Sequence, residues 1–389
     1  MNILIFQYGN YSEAYERFQS GGSATYRDQK ESVELVASIA RTHQVTVVAI
    51  STKSHDIQLT DSLRSIGLLF DDLSGPELTK ILHETAPDRI ICRTPDWRIF
   101  AAVARCKIAT LPYFADVFQS NGLRGWYRSR RLRHLLKGAH IPCICNHSRN
   151  ASLSVHNVLG IAKRRIVPWD RRVIESDMPP KQSPDAGNPF GLFYAGVLNV
   201  QKGIDDVLTA LGILQDQGVN VTLSLASRTD PADWQTRADS LGVAARVTFL
   251  GALPNESIVE AMRAHDAILV PSQHQYPEGL PNTLREALAS RTPLVASDHP
   301  AFAGRLVPDR DCLFFRGSDP AALAQTIHRL MQTPGLYEKL SANAAAALQR
   351  LPYGLYWDDL WQHFLEAPDQ NASWVKENSL VALEARDKA

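Results

Sequence analysis

With 389 residues the chain exceeds what one hydrophobic core normally supports, roughly 250–300 residues, so two domains are expected. Hydrophobic content of 44% and charged content of 21% are ordinary globular values, and 41 basic against 41 acidic residues leave no net charge, which argues against nucleic-acid binding while allowing a local patch. No apolar run approaches the roughly 18 residues of a membrane span, and the opening MNILIFQYGN turns polar too soon for a signal peptide, so a cytoplasmic protein is expected. The five cysteines (Cys92, Cys106, Cys143, Cys145 and Cys312) mostly flank apolar runs and read as reduced thiols. Cys143 and Cys145 have no second ligand pair near them, so no metal site is expected.

In chain order, short apolar runs predict strands at NILIFQY (2–8), QVTVVAI (44–50), DRIICRT (88–94), LPYFADVF (111–118) and CICNHS (143–148). A second series follows at 190–197, 221–227, 247–253, 267–272, 293–297 and 312–316. Apolar residues on consecutive positions suit strands covered on both faces. Helix-period segments such as 28–41 and 203–217 alternate with them, the βαβ pattern of a doubly wound α/β sheet, and the pattern occurs twice. Between the series, ESDMPPKQSPDAGNPF (175–190) reads as a linker. The domains are therefore placed at 1–174 and 191–351. Near the end, Tyr356, Leu360, Trp361 and Phe364 fall at helical spacing and read as a core stripe, and the polar tail beyond 370 is expected to fray.

The stretch PEGLPNTLREALASRTPLVAS (277–297) stands at a strand-to-helix turn. Pro281 suits the first helical turn, and Gly279 and Leu280 offer no capping oxygen. The amides of Asn282, Thr283 and Leu284 are then orphan donors, filled by water or open to an anion. Glu286, one turn in, suits a pair of sugar hydroxyls, and Glu278 a second sugar; equally, Glu286 complements the helix dipole and Glu278 is a solvated loop charge.

These residues resemble the E-x7-E motif of family 4 glycosyltransferases. FYAGVLNVQKGIDDVLTAL (193–211) is similar to that family's strand–Gly–loop–Lys-Gly–helix unit, and RVTFLGALPNESIVEAMRAHDAILVPS (246–272) to the segment leading into the motif. Residues 18–50 and 144–161 resemble its glycine-rich loop and the last part of its N-terminal domain. The resemblance implies two Rossmann-like domains facing a cleft (GT-B), a C-terminal helix at about 352–389 returning to the N-terminal domain, and retaining transfer from a nucleotide-sugar donor. It implies that Glu278 contacts donor-sugar hydroxyls, Glu286 the ribose, and the amides of Asn282, Thr283 and Leu284 the sugar and diphosphate. Lys202 is placed on the diphosphate, Gly21, Gly22 and Gly196 at close backbone approaches, Leu250 and Gly251 at the base, and Asp116 against donor or acceptor sugar.

Three departures stand out. Val197 replaces an Arg usual in the family, leaving Arg228, Arg285 or Arg291 to supply a second cation. Arg291 stands where a helix-ending Gly is usual, and Ala115-Asp116 replaces a His-Asp pair. No protein base is evident. A front-face mechanism, in which the leaving diphosphate takes the acceptor's proton, needs none; a covalent carboxylate intermediate is the alternative. No Asp-x-Asp is placed for a metal, so metal-free catalysis with no cofactor beyond the donor is expected. A sugar-nucleotide epimerase of the same fold and a degenerate nucleotide-sugar-binding protein remain alternatives. The donor's base and sugar and the acceptor's identity stay open.

Finally, LRGWYRSRRLRHLLKG (123–138) holds Arg124, Arg128, Arg130, Arg131, Arg133 and Lys137 with no acidic residue. It reads as a solvated helix face, or as a basic, aromatic-flanked patch in weak contact with anionic membrane at its inner face. The second reading goes with a lipid-linked or surface-polysaccharide acceptor, as the resemblance implies.

Overall fold

In β1 (Asn2–Tyr8) four consecutive residues, Ile3 to Phe6, are all buried, as a strand covered on both faces requires. The computed structural model describes residues 1–119 and 122–388, with the Arg124 side chain outside the described set. After β1 come β2 (Gln44–Ser51), β3 (His55–Thr60), β4 (Leu63–Leu69), β5 (Arg89–Cys92), β6 (Thr110–Phe114), β7 (Ile144–His147) and β8 (Ile166–Asp170). A second series comprises β9 (Phe190–Ala195), β10 (Val221–Ala226), β11 (Val247–Gly251), β12 (Ala267–Val270), β13 (Leu294–Ser297) and β14 (Leu313–Phe315), and β15 (Leu355–Tyr356) follows.

The chain forms two compact units, Met1–Arg172 with Tyr353–Ala389, and Val173–Pro352. The first holds a sheet ordered β15-β8-β7-β6-β5-β1-β2-β4-β3, the second a sheet ordered β11-β10-β9-β12-β13-β14. Among the described residues only β3 runs antiparallel to its neighbour, β4, and every other strand pairing is parallel. Both are Rossmann-like α/β domains. In the second sheet β9 lies between β10 and β12, so the winding direction reverses there, and ligands in such sheets bind beyond the carboxyl ends at that reversal.

The first unit's core closes with residues from both of its segments. Tyr113 stacks on Trp169 at 4.4 Å and meets Trp361 edge-on at 5.7 Å. Leu360, Trp361 and Phe364, on the helix Trp357–Glu366, are buried with Ile3, Ile5 and Val47.

Three expectations need correction. Residues 175–190 are no free linker, because they are tied to the second unit. Ser176 Oγ donates to the Ala289 carbonyl at 2.7 Å, Lys181 N to Ser341 Oγ at 2.7 Å, and Ser183 Oγ to Glu338 at 2.6 Å. The tail beyond 370 forms two helices, Ser373–Glu377 and Leu380–Arg386, whose Trp374, Val375, Leu380 and Leu383 are buried. Lys163 pairs with Glu384 at 2.7 Å, fixing it further. The glycine pair follows an unexpected helix, Tyr11–Gln19, and closes its C-terminal end. Gly21 N donates to the Phe18 carbonyl at 3.1 Å and Gly22 N to that of Arg17 at 2.8 Å, so the Gly22 amide is already taken.

Candidate functional site

Two loops meet at the winding reversal of the second sheet. One leaves β9 and runs Gly196 to Gly203; the other leaves β12 and runs Pro271 to Pro281. Their backbones touch. The Gln273 amide donates to the Gln201 carbonyl at 2.8 Å, and a Cβ on Gly203 would lie 2.2 Å from the Pro271 carbonyl oxygen, so only glycine permits the approach. Gly203 has φ +77 and opens the helix Ile204–Asp216. Just before it, Asn199 accepts from the Lys202 amide at 2.6 Å, closing the turn that presents Lys202.

Lys202 Nζ lies 2.6 Å from Glu278 Oε2, with side-chain exposures of 16% and 9%. Ser272 Oγ donates to the same carboxylate oxygen at 3.0 Å, and Lys202 Nζ stands 4.4 Å from the Tyr276 ring centroid. The loop that carries Glu278 is held from several sides. Ser297 Oγ donates to the Ser272 carbonyl at 2.6 Å, and Gln273 Nε2 to Asp206 at 2.9 Å. His299 Nδ1 accepts from the Ala301 amide at 3.1 Å, which leaves Nε2 as the protonated nitrogen facing the Tyr276 carbonyl at 3.0 Å. Burial lowers the His299 pKa, in keeping with that neutral form. His274 lies 2.6 Å from Asp298, whose carboxyl burial would raise; the Gly317 amide and the His274 ring outweigh this and hold it below the usual range.

Beyond the loop stands the helix Asn282–Ser290. Pro281 occupies the cap position just before it, and no side chain caps it. The Leu284 amide donates to the Pro281 carbonyl at 3.2 Å, which leaves Asn282 and Thr283, not Leu284, to present donors at this end. Glu286 is 3% exposed. Gly196 follows β9 with φ +154, a Cβ there would lie 2.7 Å from the Tyr194 hydroxyl, and its amide is bonded to the Ala226 carbonyl at 3.0 Å. Leu250 and Gly251 end β11 at the sheet's edge, and the Gly251 carbonyl accepts from Ser227 N at 2.8 Å.

The three cations offered in place of Val197 separate clearly. Arg291 takes a left-handed conformation, φ 59, at the opposite end of the helix Asn282–Ser290, and its guanidinium reaches the Ala342 carbonyl at 3.3 Å. Arg285 is 1% exposed. Arg228 is exposed in the loop after β10, next to Thr229, which accepts from the Leu198 amide at 3.2 Å. Arg228 alone stands open at the carboxyl edge.

On the first unit, Asp116 follows β6, and its carbonyl accepts from Asn146 Nδ2 at 2.9 Å. Asp116 is exposed, yet desolvation raises its pKa, against a backbone hydrogen bond involving Ala115. His147 is buried 3.3 Å from Asp170, and His156 lies 2.8 Å from the Ile161 carbonyl; both serve the fold.

The basic stretch forms the helix Gly122–Leu135 and the turn after it. Leu132 and Leu136 are buried, whereas Leu123 (87%), Trp126 (52%) and Tyr127 (54%) are exposed. Arg130 stacks 5.3 Å from Trp126, and Arg131 3.8 Å from Trp97. A hollow of about 410 Å³ opens among Trp126, Arg130, Arg133 and Lys137. Among the described residues, Arg128, Arg130, Arg131, Arg133 and Lys137 take part in no ion pair. Arg124 lies outside the described side chains. No helix among the described residues is long and apolar enough to cross a membrane.

Two parallel-sheet Rossmann-like domains, with a cation and a carboxylate at the second sheet's winding reversal, define the GT-B class. The sequence goes further. Residues 177–347, all within the second unit, match the family described as glycosyl transferases group 1. Over 334 residues the chain is 24% identical to a glycogen synthase of Mycobacterium tuberculosis, covering 81% of this chain and 78% of the relative. The sucrose-phosphate synthase of Thermosynechococcus elongatus has a similar structure, with a TM-score of 0.68 at 16% identity, covering 94% of this chain and all of that one (100%). Anabaena Alr3699/HepE in complex with UDP has a TM-score of 0.65 at 16% identity, over 90% of this chain and 96% of the other.

Several contributors lay outside the sequence reading: Ser272, Tyr276, His274, Asp298 and His299. Tyr276, His274, Asp298 and His299 act through contacts among the loops after β9, β12 and β13, which no spacing announces, and Ser272 reaches Glu278 within one loop.

Proposed function

We propose that the protein transfers a sugar from a nucleotide-sugar donor to a glycan acceptor, with retention of anomeric configuration, as the family 4 resemblance suggests. The observation that carries this is the Lys202–Glu278 pair beside an uncapped helix that holds Glu286 one turn in. Lys202 and the first amides of that helix meet the diphosphate, Glu278 the sugar hydroxyls and Glu286 the ribose hydroxyls. As the glycosidic bond breaks, negative charge grows on the leaving diphosphate; Lys202 stabilises it there, and the diphosphate accepts the acceptor's proton. The transfer is read as independent of a divalent cation, so EDTA leaves it intact. The likeness to a glycogen synthase supports a glycan acceptor, and that to a protein with UDP bound puts uridine first among donor bases to try.

The test is a thermal-shift and transfer panel of UDP-, GDP- and ADP-sugars with glycan and lipid-linked acceptors. One sugar nucleotide is expected to raise the melting temperature and to lose its sugar only when acceptor is present. If none stabilises the protein the reading fails, and a donor that binds with no transfer to any acceptor points to a degenerate binding protein.

The place of work we propose is an anionic membrane surface that presents a lipid-linked or growing polysaccharide acceptor. Arg128, Arg130, Arg131, Arg133 and Lys137, in no ion pair among the described residues and flanked by exposed Leu123, Trp126 and Tyr127, support it, each cation contributing about 1 kcal/mol near such a surface. Co-sedimentation with vesicles containing phosphatidylserine should decline with salt and be lost when Arg128, Arg130, Arg131 and Arg133 become Gln. Wild-type protein that ignores such vesicles at low salt makes a small free acceptor the better reading.

A further inference from the structure

The geometry points to a self-caged donor site: Glu278 holds Lys202 away from phosphate until a sugar is present to take the carboxylate over, so that intact donor is selected against free nucleoside diphosphate. This rests on the donor-site reading above and goes beyond it.

Among the described residues the Lys202 ammonium meets the loop that carries Glu278: the carboxylate at 2.6 Å and the Tyr276 ring at 4.4 Å. The carboxylate in turn takes Ser272 Oγ on the same oxygen at 3.0 Å. Both side chains spring from anchored backbone, so only their own torsions can part them. Lys202 is anchored by its turn to Asn199, and Gly203 is packed on the Pro271 carbonyl. The Glu278 loop is pinned through Ser297, Asp206 and His299. The pair is mostly buried, and separating a pair in such a place leaves two poorly solvated charges.

The two candidate ligands differ in what they offer those charges. A nucleoside diphosphate draws Lys202 away and gives Glu278 nothing, so a buried carboxylate is left facing added negative charge. A sugar nucleotide draws Lys202 away and supplies hydroxyl donors that replace it on Glu278. The same ion pair therefore opposes binding of the product nucleotide and is exchanged, with little loss, for contacts to the substrate. Glu278 is thus a specificity residue for the sugar-bearing form, in addition to holding the sugar.

The experiment is calorimetric titration of wild type, Glu278→Asp and Glu278→Gln with whichever of UDP, GDP or ADP binds, and with the matching sugar nucleotide. Gln removes the charge that cages Lys202, and Asp shortens its reach while keeping the charge. Affinity for the nucleoside diphosphate should rise in the order Glu, Asp, Gln, by about fivefold overall. Affinity for the sugar nucleotide should fall by about tenfold or more in Gln. Opposite signs for the two ligands are the diagnostic, since a loosened fold lowers both. If Gln or Asp leaves nucleoside diphosphate affinity unchanged or weaker while wild type binds donor, the cage is overturned and the donor-site reading stands. If wild type binds neither ligand, both fall. Should Glu278→Gln show no thermal unfolding transition, the Asp variant carries the same test.

Discussion

The protein places Lys202 and the cations of its basic helix in two settings built in opposite ways. Lys202 is mostly buried, has a carboxylate at 2.6 Å and is positioned by a turn that only glycine can complete. On the helix Gly122–Leu135, Arg128, Arg130, Arg131 and Arg133 are exposed and met by no carboxylate among the described residues, and Arg130 and Arg131 stack on aromatic rings. A buried, paired charge depends on geometry and is little affected by salt; exposed charges depend on number and are screened within about 8–10 Å. The first arrangement suits discrimination between similar small ligands, the second a reversible hold on an extended anionic surface.

The sharpest way to break this contrast is to remove Lys202. Lys202→Ala is expected to lower kcat by about 100- to 1000-fold with a smaller change in donor affinity, because the charge it meets grows in the transition state. Steady-state kinetics that show a raised KM at normal kcat would reduce Lys202 to uniform binding. Next, Glu286→Ala should weaken nucleotide binding by about 1.5–3 kcal/mol, read by calorimetry, through loss of two charge-assisted hydrogen bonds to ribose. An unchanged affinity in folded protein removes that role. At the surface patch the effect per residue is smaller. Arg128→Gln alone should cost about 1 kcal/mol of vesicle affinity at low salt and almost nothing at high salt. A cost that salt does not diminish would mean a specific contact in place of diffuse attraction.

The smallest expected effect concerns the staple under the Glu278 loop. Burial lowers the His299 pKa, so the unfolded chain takes up a proton first as pH falls. The contribution of His299 to stability is therefore complete above its ordinary value of about 6.5 and is lost as pH falls below it toward the depressed one. His299→Gln should flatten that part of the stability–pH profile and cost about 1 kcal/mol at neutral pH, measured by denaturant unfolding. A wild-type profile that is already flat there would remove the argument.

The sequence made most of the parallel strands legible because residues such as Ile3–Phe6 and Ala267–Val270 are apolar on consecutive positions, though β4 is not read as a strand. It hid β3, whose HDIQLT is polar and largely exposed at the sheet's edge, and β8, where Pro168 interrupts the expected composition. Within the site, Lys202, Glu278 and Glu286 could be singled out from spacing and resemblance. The direct Lys202–Glu278 contact could not, because the two are 76 residues apart and meet only through the juxtaposition of β9 and β12. Gly22 misled because an adjacent Gly-Gly marks the end of a helix as readily as the start of one.

The first unit is assembled from both ends of the chain, and this bears on its synthesis. While the ribosome is still making residues 173–352, Tyr113 and Trp169 lack the Trp361 ring that completes their cluster, and β8 lacks its neighbour β15. The second unit is one continuous segment, Val173–Pro352, and is all synthesised before residues 353–389. The first domain to emerge is therefore the last to be finished, and its aromatic core stays open for as long as its neighbour takes to be translated.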